Sequence, residues 1–194
     1  MSTLRTFIAI ELDEELKDNL ARLQNRLRAG MSPRSVRWVR PESIHLTLKF
    51  LGDTTAEQVE EVKEALARAA AGSGPITFSL GGVGCFPNTR RPRVVWVGLH
   101  EPAGALARLR DAVEGQVAPL GFPTEKRPFS PHLTLGRVQR HASKSEVQEV
   151  GNVVATSGIG DIDEMTATAV SYIQSELKPS GAVYTTLARA ELGE

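Results

Sequence analysis

The 194-residue sequence predicts an α+β fold of two similar lobes facing one central cleft. Three observations carry this expectation. A six-residue stretch occurs twice, as Ser43-Ile44-His45-Leu46-Thr47-Leu48 and, 87 residues later, as Ser130-Pro131-His132-Leu133-Thr134-Leu135, identical at five of six positions. Short β-branched runs alternate with amphipathic helical patterns through both halves of the chain. The last two strand-like runs leave no room for a helix between them and must pair antiparallel, which favours a mixed architecture over a doubly wound parallel sheet.

Taken in order, Thr6 to Leu12 reads as a strand, and Asp13 caps a helix whose apolar stripe is Leu16, Leu20, Leu23 and Leu27, ending at Gly30. Val36 to Val39 is a short extended piece broken by Pro41, and Ile44 to Leu51 is a second strand closed by Gly52 and Asp53. Thr54 or Thr55 caps a second helix with Val59, Val62, Leu66 and Ala69 on its apolar face. Ile76 to Leu80 and Val94 to Leu99 form a hairpin-like pair around a glycine-rich, basic loop. Leu106, Leu109, Val113 and Val117 mark a third helix, and a proline-rich loop leads to a strand at His132 to Val138. A weaker helix spans Ser145 to Ala155. Two strands, near Ala167 to Gln174 and Ala182 to Ala190, join through the turn signal Lys178-Pro179-Ser180-Gly181.

Composition narrows the class. Hydrophobic residues make up 41% and charged residues 24%, the balance of a globular protein and not of a disordered one. Lys plus Arg (23) equals Asp plus Glu (23), which argues against bulk-charge binding of nucleic acid. Cys85 is the sole cysteine, so the chain has no internal disulfide and no thiolate zinc site, and its apolar neighbours Val83 and Phe86 suggest a buried, inert thiol. No apolar run is long enough to span a membrane, and the expectation is a cytoplasmic protein with no membrane partner. Gly81-Gly82-Val83-Gly84 lacks the Gly-Lys-Ser/Thr ending of a phosphate loop and reads as a bulge or turn.

The repeated hexapeptide carries the chemistry. Alternation in a strand puts His45 and Thr47 on one face and Leu46 and Leu48 on the other, and the same holds for His132 and Thr134 against Leu133 and Leu135. A lone His-x-Thr is usually a surface-strand histidine; duplication with matching flanks points to two such faces converging on one small ligand. Two imidazoles near pKa 6.5 suit metal-free phosphodiester cleavage, one accepting a proton and the other donating one, with the threonine hydroxyls on the phosphate oxygens. Two histidines can also ligate zinc, but a catalytic zinc site wants three protein ligands backed by carboxylates, and neither motif has an acid beside it on the same face in sequence.

These residues resemble the duplicated His-x-Thr-x signature of the 2H phosphoesterase superfamily. The flanks Arg37 to Gly52, Phe86 to Trp96, Arg127 to Arg137 and Ser175 to Ala188 are similar to its bacterial and archaeal branch, the 2′-5′ RNA ligase or RNA 2′,3′-cyclic phosphodiesterase family, across Arg5 to Arg189. The resemblance implies a bilobal α+β fold, two pseudo-symmetric lobes of mostly antiparallel sheet with outer helices around a central cleft. Residues 1–194 would form one domain of two interleaved lobes with one motif each. It further implies hydrolysis of an RNA 2′,3′-cyclic phosphate to a 2′-phosphomonoester, with reversible 2′-5′ ligation at the same cleft. His45 would be the proton donor, His132 the proton acceptor, and Thr47, Thr134 and Arg137 the phosphate-binding residues. The expected partner is RNA ending in a 2′,3′-cyclic phosphate, such as tRNA halves, bound by a monomer with no cofactor and no metal. Phosphodiesterase action on small cyclic nucleotides or 2′-5′ oligonucleotides, and non-catalytic binding of RNA ends, remain as alternatives.

Neutral overall, the chain is uneven in charge. Residues 31–50 and 84–100 each carry a net +3 and residues 121–144 a net +4, whereas 145–177 hold six acids and no base. The basic blocks adjoin the motifs and suggest a rim that guides an RNA end, with Arg90 and Arg91 as candidate contacts. Among the aromatics near them (Trp38, Phe50, Phe86, Trp96, Phe129), Phe129 on the loop before His132 is the candidate to stack the terminal base. His100 and His141 lack a partner motif and read as surface residues.

Overall fold

The computed structural model describes residues 3–158, 160, 162–179 and 181–193. Strand β1 (Thr3–Glu11) leads through Asp13, whose carboxylate accepts the Leu16 N–H at 2.8 Å, into helix α1 (Glu14–Ala29). The predicted leucine stripe of α1 is buried along its length, and Gly30 closes it. After the short β2 (Val36–Trp38) and a 3-10 turn over Pro41–Ser43 comes β3 (His45–Thr55). Thr55 and Gln58 form a reciprocal capping box that starts α2 (Ala56–Ala71). The chain continues through β4 (Ile76–Phe86), β5 (Val94–His100), α3 (Ala105–Val117), β6 (His132–Val138) and α4 (Lys144–Thr156) to β7 (Ile162–Ala167), β8 (Ala169–Lys178) and β9 (Gly181–Glu191).

The strands form two sheets, four-stranded in the order β3-β1-β8-β9 and five-stranded in the order β2-β6-β5-β4-β7, and every described pairing is antiparallel. Each sheet holds one motif strand, paired with the strand that precedes it across a helix: β1-α1-β3 in one sheet and β5-α3-β6 in the other. The sheets do not follow the two halves of the chain. β2 crosses to pair with β6, Val36 opposite Val138, while β8 and β9 return to the first sheet. Helices α1, α2 and α3 bury their apolar faces in one large core shared with Ile8, Ile10, Leu46 and Leu133. On the other side of β1, Phe7, Ala9 and Ile173 form a small separate cluster with Tyr184 packed against it.

Several elements differ from the sequence reading. β3 runs past Gly52 and Asp53 to Thr55, since Gly52 takes φ +75° inside the strand and bends it without ending it. β4 likewise passes through Gly81, Gly82 and Gly84, with a bulge between Gly81 and Val83. β7 has no signal in the sequence, because Ile162 to Ala167 has neither strict alternation nor a β-branched run; it gains its place by pairing with the edge of β4. Ala167 ends β7 and so does not begin β8. Of the expected turn, Lys178 and Gly181 pair directly, whereas Ser180 lies outside the described residues. Among the described residues no helix is long and apolar enough to cross a membrane.

Candidate active site

The two motif histidines are held alike. His45 Nδ1 lies 3.0 Å from the Ser43 carbonyl oxygen, and His132 Nδ1 lies 2.7 Å from that of Ser130. A carbonyl only accepts, so each Nδ1 carries the hydrogen and each Nε2 is left as the proton-exchanging atom. The repeated serine thus contributes its backbone two residues before the ring.

Their surroundings differ. Phe7 stacks on His45 with ring centroids 4.6 Å apart, and Tyr184 meets the same ring edge-on at 5.2 Å. Burial lowers the His45 pKa below its ordinary value, opposed by its bond to Ser43 and by the negative charge of Glu11. Glu11 stands directly across the β1–β3 pair from His45, and its carboxylate accepts a hydrogen bond from Ser171 Oγ at 2.6 Å. No such acid faces the second motif: the residue opposite His132 is Gly98, where a Cβ would crowd the Gly81 carbonyl oxygen at 2.8 Å. His132 instead meets Phe86 edge-on at 4.8 Å and Trp96 at 6.5 Å.

Thr47 and Thr134 are half-buried beside their histidines, while Leu46, Leu48, Leu133 and Leu135 are buried on the opposite face. Past the threonines the strict alternation ends in both strands. The β1–β3 register skips Leu48, and the β5–β6 register skips Leu135, so each motif strand carries a bulge at the same place. A bulge moves each later side chain of its strand to the opposite face. It returns Phe50 to the histidine side, 68% exposed and 6.1 Å from the Phe7 ring, and turns Lys49 inward. Arg137 holds the equivalent position after His132, five residues on.

Arg137 also links the two motifs. Burial raises the Tyr184 pKa, the charges of Arg137, Arg5 and Arg40 oppose that rise, and Tyr184 is the ring that edges His45. Arg40 reaches across to the Ala182 carbonyl at 3.4 Å, and β3 and β6 are neighbours in space. Tyr184 therefore lies between the first-motif histidine and the charge of the second-motif strand.

The remaining sequence candidates fall elsewhere. Arg90 and Arg91 lie on the β4–β5 loop beside a groove of about 490 Å³ that contains none of the motif residues. Phe129 is half-buried, packed on the core with the Arg110 guanidinium 5.9 Å above its ring, so its face is already occupied. Cys85 is buried, which pushes its thiol up to about 11. Among the described residues no three His, Cys, Asp or Glu side chains gather closely enough to hold a metal ion. Sequence reasoning missed Glu11, Phe7 and Tyr184, which reach His45 only through strand pairing. Phe50 could have been singled out by its matching offset to Arg137.

Two antiparallel sheets, each holding one His-x-Thr strand, define a two-lobed phosphoesterase fold. The chain belongs to the LigT like Phosphoesterase family, whose pattern it matches twice, over residues 10–96 and 97–184. It is 34% identical over 182 residues to the RNA 2′,3′-cyclic phosphodiesterase of Methanothermobacter thermautotrophicus, covering 94% of this chain and 95% of that one. It is 30% identical to the protein of the same name from Aquifex aeolicus, over the full length of both. Among solved structures, TT0787 of Thermus thermophilus superposes with a TM-score of 0.80 at 29% identity, over 98% of this chain and all of that one. Escherichia coli LigT complexed with 3′-AMP does so with a TM-score of 0.79 at 25% identity over the whole of both chains.

Proposed function

We propose that this protein hydrolyses the 2′,3′-cyclic phosphate at the end of an RNA to a 2′-phosphomonoester. The observation that carries this reading is the pair of histidines, each with Nδ1 tied to a serine carbonyl and Nε2 free. The family membership and the names of its relatives supply the substrate class. RNAs cleaved so as to leave cyclic ends, tRNA halves among them, fit that class. Both motifs come from one chain, so a single copy supplies the whole set.

In this reading neutral His132 takes a proton through Nε2 from a water whose oxygen attacks phosphorus. The P–O3′ bond breaks, and protonated His45 gives its Nε2 proton to the departing 3′ oxygen, leaving a 2′-phosphate and a 3′-hydroxyl. Thr47 and Thr134 donate hydrogen bonds to the non-bridging oxygens, and Arg137 offsets the charge that builds on them. With an RNA 5′-hydroxyl in place of water, the same displacement yields a 2′-5′ phosphodiester. The exposed Phe50, on the histidine side of its strand, replaces Phe129 as the platform for the terminal base.

Incubation of the protein and a chelator with an RNA ending in a 2′,3′-cyclic phosphate tests the proposal. The expected product is the 2′-phosphate, with His45→Ala and His132→Ala each slower by about 10² to 10⁴. Absence of turnover between pH 5 and 9, or variants as fast as the parent, would falsify it.

A further inference from the structure

A groove of about 490 Å³ lies outside the motif strands, between the β4–β5 loop and α4. Arg90 and Arg91 line it from the loop and Lys144 from the helix, together with Gln148 and Asn152, and among the described residues no acid borders it. Helix α4 does contain acids, but both are committed elsewhere. Glu146 accepts the Ser143 N–H in the helix cap at 2.7 Å, and Glu149 accepts the Ser32 N–H at 2.8 Å and the Ser32 hydroxyl at 2.7 Å. The helix therefore shows this groove one cation and two neutral amides.

The loop wall is built rather than loose. Asn88 Oδ1 accepts the N–H groups of both Arg90 and Arg91, at 3.0 and 3.1 Å, and the Arg93 N–H closes the loop onto the Phe86 carbonyl at 2.8 Å. Gly151 lets the loop press against α4, since a Cβ there would run into the Thr89 carbonyl oxygen. Among the described residues neither arginine nor Lys144 takes part in an ion pair. Both roots of the loop stand at the second motif: Phe86 packs on His132, and Val94 pairs with Arg137.

From this placement we propose that the groove is a second binding site, for the phosphate backbone of the RNA strand on the 5′ side of its cyclic end. The proposal rests on the reading of the cleft as an RNA-end phosphodiesterase site. A polyanion leaving the cleft past Phe86 meets three unpaired cations on a preformed wall, with the Gln148 and Asn152 amides positioned to hydrogen-bond sugars or base edges. A mononucleotide cyclic phosphate carries no 5′-side backbone phosphate to place there.

Two measurements on the full chain test this. The first is the ratio of kcat/KM for a ten-nucleotide RNA with a 2′,3′-cyclic end to that for a 2′,3′-cyclic mononucleotide. The second is the affinity for the same RNA carrying a 2′-phosphate end, read by anisotropy of a 5′ dye against salt. Arg90→Glu/Arg91→Glu and Lys144→Glu are expected to lower the ratio at least tenfold. Reversing all three should flatten the log–log salt slope by about 2, given about 0.7 for each single-strand phosphate contact. A ratio changed less than twofold with an unaltered salt slope would overturn the groove and leave the cleft reading standing. If the parent protein turns over neither substrate, the cleft reading fails, and the anisotropy still decides whether the groove holds RNA.

Discussion

Phe7 and His45 stack at 4.6 Å with their planes 26° apart, and this contact sets the electrostatic character of the first motif. The covering rings of Phe7 and Tyr184 exclude water and disfavour the imidazolium, while Glu11 across the strand pair favours it. In the proposed role His45 must be protonated to donate. The limb of kcat/KM that falls with rising pH should therefore have its midpoint below the ordinary 6.5. Removing the countercharge with Glu11→Gln should move that midpoint lower still, and a bound phosphodiester anion should move the corresponding limb of kcat higher. A pH–rate series on both proteins checks this; a Glu11→Gln profile that overlays the parent contradicts it.

The same burial makes stability depend on pH. The His45 pKa is lower in the folded state than its ordinary value of 6.5, so below that value the unfolded chain binds the proton first. Stability is thus full at pH 7.5, declines as pH falls through the interval between the two pKa values, and levels off below it. Urea midpoints measured from pH 7.5 to 5 should show this decline reduced in His45→Gln.

Lys49 and Glu114 form an ion pair of 2.7 Å with both side chains buried, at 6% and 11% exposure. The Lys49 ammonium also donates to the Pro123 carbonyl, and Glu114 accepts the Glu125 N–H at 2.9 Å. One bulged strand is thereby tied to the loop that leads to His132. Lys49→Met takes the nearer of two cations from the buried Glu114 carboxylate and leaves Arg110 at 3.9 Å, so it should cost less than the roughly 3 to 5 kcal/mol of a wholly unpaired buried charge, and replacing both Lys49 and Glu114 by apolar residues should cost less again. Denaturant unfolding of the single and double variants measures the difference.

Phe50 is free where Phe129 is covered. Loss of a stacking platform is worth about 1 to 3 kcal/mol per base, so Phe50→Ala should raise KM for the cyclic-ended RNA by about 5- to 150-fold. Phe129→Ala should act through folding stability, with a smaller change in KM. Steady-state kinetics on the two variants separates the roles.

The local parts of this fold are legible in the sequence because local chemistry specifies them. Asp13 and the Thr55–Gln58 box announce two helix starts, and the Leu16, Val59 and Leu106 stripes announce three buried faces. The duplicated Ser-x-His-Leu-Thr-Leu marks the two histidines of the candidate site. What it conceals is set by long-range pairing. Glu11 faces His45 only because β1 and β3 align in that register, and β2 leaves its own half of the chain to join β6. The bulges at Leu48 and Leu135 are equally hidden, since period-two alternation alone would put Phe50 and Arg137 on the wrong side of their strands.

The proposed chemistry turns on the division of labour between the histidines, and a leaving-group substitution separates their roles. In a 2′,3′-cyclic substrate whose 3′ oxygen is replaced by sulfur, the departing thiolate needs no proton. Rates of His45→Ala and His132→Ala on the oxygen and sulfur substrates should diverge: the sulfur substrate restores most of the activity lost in His45→Ala and little of that lost in His132→Ala. Equal rescue of both variants, or rescue of His132→Ala alone, would contradict the assignment.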